Sequence, residues 1–543
     1  MAPFKVFLGA SIVITFFLKR YAEAYMPSRN VVATASEIFA VETVAWLVWR
    51  CFLYPIWFSP LRAIPGPSGG SFLMGQSPSL RKDPNGQAHL YRTWSEQIPN
   101  DGIIRYLDMF NSEILIPVSP KALAEVLVQR PYEFIKPPWL TGFGKILGVG
   151  VLLAEGEEHK KQRKSLMPAF AFRHVKELYP TFWSKSCELV QALILHNENG
   201  CRDSDTLSES IDVKDWASRA TLDIIGLAGL GRDFDAIKDP ENELIRTYKK
   251  IFSPGRGGQI SGALFMIAPW LMRAMPIKRN DDFEAASQAI KNTCYTILQQ
   301  EKLTLASNKG GSSAGNILSV AIESGEFTDE GLVNQLMTFL VAGHETTASA
   351  LSFAIYALCR YPEVQRRLRE EVHFRLPDPR SPTSSITSND IDNFPYLNAV
   401  CNEVLRLYAP VAVTGRVAAA DTTLVGQYVP KGTTIFIAPW AINADKGSWG
   451  EDAENFNPDR WLGESKANSG GIESNYAFLT FLHGPRGCIG QSFAKGEFAC
   501  LLAAWAGTLE TRFASADYVM HVGNGLTTRP KDLEVKVHVV DEW

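Results

Sequence analysis

The patterning of the chain predicts a mainly α fold with a small β region. Three observations carry this. A capping residue followed by two acids, Thr328-Asp329-Glu330, opens a long helical pattern that runs to about Cys359. Further helical runs cover Ile211 to Gly231, the segment around Glu403 and Arg406, and an Ala-rich run from Phe498 to Ala506 without a polar residue. Strand-like stretches are few and short: within Ile103 to Val118, at Pro410 to Arg416, at Thr433 to Pro439, and in a terminal hairpin over Val519 to Val540.

Composition agrees with a large folded body. Of 543 residues, 46% are hydrophobic and 21% charged, enough apolar material for an extensive core, and no internal repeat is visible. Length by itself would suggest several domains. A net charge of −4 implies no bulk attraction to nucleic acid. The eight cysteines are scattered without a C-x-x-C pair, which fits a reducing compartment better than a disulfide framework. No N-x-Ser/Thr sequon occurs, in agreement with a body facing the cytosol.

Two apolar segments open the chain. Val6 to Leu18 is flanked by Lys5, Lys19 and Arg20 and is short for a bilayer span, which takes about 20 residues. The A-x-A look of Ala22-Glu23-Ala24 leaves a cleaved leader as its alternative. Ile38 to Phe58 is long enough, carries Glu42 and Arg50, and has Trp46, Trp49, Tyr54 and Trp57 suited to a membrane interface. The reading is an N-terminal anchor of one or two segments over residues 1–59, followed by a proline-rich hinge over 60–68, where Ile64-Pro65-Gly66-Pro67 cannot continue a helix.

Beyond strands in Ile103 to Val118 and a helix from about Pro120 to Gln129, Pro131 to Gly150 reads as loop, with Trp139, Phe143 and Ile146 on a Gly/Pro background. A helix begins at Gly156, on which His159 and Arg163 are four apart and share a face. The apolar stretch from Ala263 to Met272 is either core or a membrane-facing patch. Ala306 to Ala314 is a flexible loop, and Gly463 to Asn475 a polar insertion.

Inside the long helix lies Ala342-Gly343-His344-Glu345-Thr346-Thr347. Glycine and paired threonines are poor choices there, and broken local rules in a strong helix point to a working site. A helix crossing built on small residues is the plainer alternative. Downstream, Glu403 and Arg406 share a helix face, and Phe456-Asn457-Pro458-Asp459-Arg460-Trp461 supplies Arg460 as the third partner a buried ion pair needs.

The stretch Phe481 to Gly490 spells F-x-x-G-x-R-x-C-x-G. It places one cysteine, Cys488, in a Gly/Pro-rich bend just ahead of the Ala-rich helix. The helix dipole and free N–H groups favour a thiolate there. Gly484, Gly487 and Gly490 let a flat macrocycle approach the backbone. Arg486 is a permanent cation suited to a carboxylate, and Phe481 would pack against the sulfur. A structural cysteine in a turn is the competing reading; the whole pattern describes a thiolate-ligated haem iron.

In spelling and order these motifs resemble the cytochrome P-450 monooxygenases, over about residues 64 to 543. The resemblance implies the cytochrome P-450 fold, with residues 69–543 as a single catalytic domain binding haem b. It implies that Cys488 is the axial ligand and that Thr346 and Glu345 handle dioxygen and its protons. His159, Arg163, Arg416 and Arg486 would hold the haem propionates. At His159 the family usually carries Trp, and His keeps an N–H for the same role. Ala412, Val413, Thr414 and Leu526 would face the substrate, a lipophilic small molecule. O2 would be the co-substrate. The chain has no flavin or nicotinamide fingerprint, so electrons would come from an NADPH-dependent reductase docking on Lys160, Lys161, Lys164, Arg173 and Lys495. The body would sit on the cytosolic face of the endoplasmic reticulum. The H-x-x-x-R variant and the F-L-H-G-P-R loop look like fungal members that tailor natural products. A haem-thiolate isomerase or dehydratase without a reductase, or a non-catalytic haem binder, are the rival functions.

Overall fold

The computed structural model describes residues 2–83, 86–138, 140, 144, 148–202, 210–252, 278–307, 315–381, 384–523, 527–540 and 543. Trp139, Phe143, Ile146, the 263–272 patch, residues 308–314 and Leu526 lie outside them.

In chain order the principal helices are α1 (Ala2–Tyr21), α2 (Val31–Val48, continuing through a wide turn at Trp49–Phe58), α3 (Gly156–Leu166), α4 (Tyr179–Arg202), α5 (Val213–Ile224), α6 (Lys278–Ser307), α7 (Asp329–Arg360), α8 (Pro362–Arg375), α9 (Pro395–Leu407) and α10 (Gln491–Thr508). The strands used below are β1 (Ile103–Leu107), β2 (Glu113–Pro117), β3 (Phe134–Ile135), β4 (Ile211–Asp212), β5 (Thr414–Ala418), β6 (Thr434–Ile437), β7 (Leu509–Phe513) and β8 (Glu534–Val539).

Helix α7 is the spine. The Thr328 side chain accepts from Gly331 N, and Asp329 and Glu330 fill the first turn, so its start is the one its sequence specifies. Its middle is buried nearly all round, which is why it lacks a polar face. It packs on α5, α6, α9 and α10. Helix α10 is buried from Phe498 to Thr508 and packs on α4, α7 and α8. Trp183, Phe353, Phe498 and Trp505 are fully buried where these helices meet. Each such side chain contributes roughly 1.5–3 kcal/mol of transfer free energy.

One sheet runs in the order β1-β2-β6-β5-β3, antiparallel except for the β2–β6 pair. The terminal segment departs from the single hairpin its sequence suggests. Val522–Gly523 pairs with Arg529–Pro530, but β8 leaves this ribbon and pairs with β7 and with β4. Alternating apolar residues specify that β8 is a strand; they do not specify a partner hundreds of residues away.

The proline stretch is fixed to the body. Arg105 N donates to Pro65 O (2.9 Å), and a Cβ on Gly66 would fall 1.8 Å from Arg105 O, so glycine is required at that crossing.

Candidate active site

The cysteine loop is held by its own backbone. Cys488 N donates to Phe481 O (2.8 Å), and Gly484 sits at φ +75°, where a Cβ would meet Leu127 O at 2.2 Å. A one-turn 3-10 segment, Gly484–Arg486, precedes the cysteine, and Gly490 caps α10 two residues after it. Cys488 is exposed to a water-sized sphere although protein surrounds it, the combination expected of a side chain lining an internal hollow. Desolvation raises its thiol pKa, while the Gly490 N–H and the nearby Arg163 pull the other way.

Beside the loop, five basic side chains from four separate parts of the chain gather near one carboxylate. Arg163 on α3 donates to Gly487 O (2.7 Å), tying α3 to the cysteine loop. Arg486 donates to Phe134 O on β3 (2.6 Å) and to Glu155. Arg416 on β5 is 4% exposed, with Gly415 O (2.7 Å) as its near acceptor. Lys136 donates to Ala154 O (2.8 Å). His159 is 2% exposed, and its Nδ1 meets the Tyr132 hydroxyl at 3.0 Å. Burial pushes all the charged forms down, and repulsion from neighbouring cations adds to it at Lys136, His159 and Arg416. Lys136 is lowered to about 7, His159 to about 4 and Arg416 to about 10, desolvation being the largest cause in each. Glu155 is the carboxylate whose charge counteracts this at Lys136, Arg416 and Arg486. A ligand with two carboxylates and a flat face would supply the missing negative charge. The propionates of haem fit this donor set.

The long helix delivers the second half of the site. Thr346 Oγ1 donates to Ala342 O (2.8 Å), the back-bond expected of a mid-helix threonine. Gly343 also serves a tight crossing, since a Cβ there would lie 2.8 Å from Ile225. The small-residue reading of this motif therefore applies at Gly343. Glu345 is 6% exposed and faces away from solvent toward Arg529 Nη2 (3.2 Å), Thr527 Oγ1 (3.3 Å) and His344 Nε2 (3.6 Å). Burial alone would raise its pKa, but His344 and Arg529 outweigh that and lower it to about 2. Thr347, one residue on, lies beside Glu497 of α10, whose complete burial pushes its carboxyl well above the usual range.

Behind the loop, Glu403 and Arg406 are both fully buried and doubly bonded at 2.8 Å. Arg460 (3.0 Å) and Trp461 Nε1 (2.9 Å) complete the carboxylate's shell. Every polar atom of this pair is matched, which is the condition for burying it without large cost.

Of the residues expected to form the site, Cys488, Arg486, His159, Arg163 and Arg416 come together, with Phe481 at the base of the loop. Thr346 and Glu345 lie on α7. Lys495 does not join the surface patch: it turns in toward Asn402 Oδ1 (3.1 Å) and the Phe478 ring. Tyr132, Lys136, Glu155 and Arg529 belong to the constellation without having stood out in the sequence.

A mostly helical body with a cysteine loop ahead of a buried helix, beside a pocket of uncompensated cations, defines a haem-thiolate protein. The family model described as "Cytochrome P450" matches residues 65–532. Cytochrome P450 monooxygenase sphH of Aspergillus fumigatus is 46% identical over 520 residues, covering 94% of each chain. Cytochrome P450 monooxygenase FUM15 of Gibberella moniliformis is 41% identical and covers 91% of each. A crystal structure of the cytochrome P450DA heme domain shares the fold, with TM-score 0.71, 23% identity, and coverage of 88% of this chain and 98% of that one. The chain belongs to the cytochrome P450 family. It is a haem-thiolate monooxygenase that acts on a small molecule with O2 and a redox partner.

Proposed function

We propose that this enzyme inserts one oxygen atom into a lipophilic small molecule in fungal natural-product biosynthesis, drawing electrons from an NADPH-dependent reductase at the endoplasmic reticulum. The observation that carries the site assignment is the cluster of Lys136, Arg416 and Arg486 around Glu155, with Arg163 bonded to the loop of the exposed Cys488 thiol. The pathway reading rests on the fungal monooxygenases among the relatives.

Haem, when bound, supplies the activation of O2. The chain's own groups do the rest. Cys488 offers its sulfur to the iron, and the Gly490 N–H with Arg163 stabilises the thiolate form. Arg163, Arg416, Arg486 and neutral His159 hold the carboxylates, and Phe481 covers the sulfur side. Thr346 can exchange its bond to Ala342 O for one to dioxygen or a water, giving a proton within hydrogen-bond reach. Glu345, held ionised, orders water at the same turn and relays protons through it rather than storing one. Exposed Lys160, Lys161, Lys164 and Arg173 form the reductase-facing patch. Residues 1–59 anchor the chain, and 69–543 are the catalytic domain.

The test is Thr346→Ala, which removes the hydroxyl and leaves a good helix former. NADPH consumption with reductase should be largely kept, product per NADPH should fall by at least about tenfold, and hydrogen peroxide should rise. Unchanged product per NADPH with two substrates would overturn the role and reopen the case for an isomerase.

A further inference from the structure

Resting on the membrane reading above, we infer that residues 2–50 form a helical hairpin that crosses the bilayer twice. The amino end of α1 then lies on the same side as the haem-binding body.

The two helices pack antiparallel. Phe4 and Phe7 meet Trp46 edge-on, with ring centroids at 5.5 and 6.4 Å, and Ser11 Oγ donates to Glu42 Oε2 at 2.9 Å. The link between them turns tightly. Glu23–Tyr25 make a 3-10 turn, and Thr34 Oγ1 donates back to Ser28 O at 2.8 Å, which fixes the end of the link to the first turn of α2. The helix lengths suffice: α1 has 20 residues, about 30 Å at about 1.5 Å per residue, its short apolar run Val6 to Leu18 being extended by flanking cations that reach toward the headgroups. The run Val31–Phe58 is longer still and is apolar enough to cross.

The outward faces need a cover that the body does not give. Val6 is 67% exposed, Phe16 66%, Val32 73% and Val41 69%. The groove between the helices is apolar too, lined by Leu8, Ile12, Phe16, Val32, Ala35 and Phe39. Cations stand at both ends of α1, Lys5 at one and Lys19 with Arg20 at the other, where long side chains can reach the headgroups. Apart from exposed Ser36 and Glu37 in the link-end half of α2, this distribution, apolar around the hairpin and charged at the ends, suits lipid better than the one-sided patch of a protein partner.

Glu42 decides between one crossing and two. It lies well inside the apolar run of α2 and points at Ser11, which is fully buried, as is Thr15. Polar groups at membrane depth persist where another helix satisfies them. Were α2 to cross alone, Glu42 would face hydrocarbon without a partner. With α1 beside it, the carboxyl meets the Ser11 hydroxyl, which also reaches Phe7 O at 2.7 Å, so both polar groups have a partner in the seam. The body leaves α2 at Pro60, so a chain that goes out along α1 and returns along α2 has both ends on one face.

The experiment maps topology in the full chain expressed in a eukaryotic host. The chain has no sequon of its own, so the background is zero. A glycosylation acceptor tag is placed in the 22–30 link or, separately, ahead of Ala2. Only chains that retain the reduced carbonyl spectrum are scored, which guards against misfolding. The expected result is a glycosylated link, an unmodified amino end, and resistance to alkaline extraction from membranes. Glycosylation of the amino-end tag would overturn the hairpin in favour of one crossing. Neither tag modified in an extraction-resistant chain would overturn it in favour of insertion into one leaflet. A fully extractable chain would instead refute the membrane reading on which the hairpin rests.

Discussion

His159 illustrates how a substitution at a motif position is absorbed by its neighbours. Its ring is buried, set against the Tyr132 hydroxyl and surrounded by cations, so it is neutral at pH 7. A neutral imidazole with one nitrogen committed to Tyr132 keeps the other for a carboxylate, as an indole N–H would. Cys488 is the residue whose loss is decisive. Cys488→Ser should fold, because the loop is closed by the backbone bond to Phe481 and by Gly484 rather than by the sulfur. The reduced carbonyl complex should lose its thiolate-type absorption; a surviving thiolate spectrum would assign the ligand elsewhere. At this scale the sequence was legible where residues are local to one another. Cys488, Arg486 and Phe481 share ten residues, and His159 and Arg163 share one turn. Lys136, Tyr132 and Glu155 were missed because they sit in loop without periodicity. Their part in the cluster appears only when β3 pairs with β5, which brings Arg416, and when the cysteine loop bonds β3 through Arg486 to Phe134 O.

The elements repeat that division between local and distant information. The start of α7 was legible because Thr328 and its acids act within one turn. The pairing of β8 with β7 and β4 was not, because strand patterns carry no address. Nor was the bond from Glu345 on α7 to Arg529 on the terminal ribbon, between residues 184 apart. That pair carries a test. Glu345's folded pKa of about 2 lies below the 4.5 of a free glutamate. Its contribution to stability is therefore present above about pH 4.5 and lost as the pH falls toward 2. Arg529→Leu leaves a buried carboxylate without its cation, which should cost about 3–5 kcal/mol. It should also move acid unfolding to higher pH. Adding Glu345→Gln should recover much of the loss. If the double variant is as unstable as the single one, Arg529 supports the fold through packing and not through this pair. Chemical denaturation at pH 7 and pH 5, read by haem absorbance, separates the cases.

Across the whole molecule, the boundary between the N-terminal helices and the body is set by hydrogen bonds that lie ahead of the proline stretch. Composition places the break at Pro60, the first residue of the proline-rich stretch. The contacts begin nearly ten residues earlier. Asn111, 4% exposed, donates to Cys51 O at 2.9 Å, Arg105 donates to Pro55 O at 2.6 Å, and Ser59 Oγ donates to Glu113 at 2.5 Å. Phe52 stacks on Phe72 with centroids 4.5 Å apart, and Leu61 is 1% exposed in the core beneath the sheet. Two truncations therefore should differ, although both remove every residue of α1 and α2. A chain beginning at Cys51 keeps these bonds and should load haem like the full protein while binding membranes more weakly. A chain beginning at Ile64 leaves Asn111, Arg105 and Glu113 each short of a partner, at roughly 1–3 kcal/mol apiece. It also loses the burial of Leu61, roughly 1.5–3 kcal/mol more. It should release haem faster and unfold at lower denaturant concentration. Equal stability of the two truncations would mean that residues 51–63 only rest on the body, and that the domain begins where the prolines do.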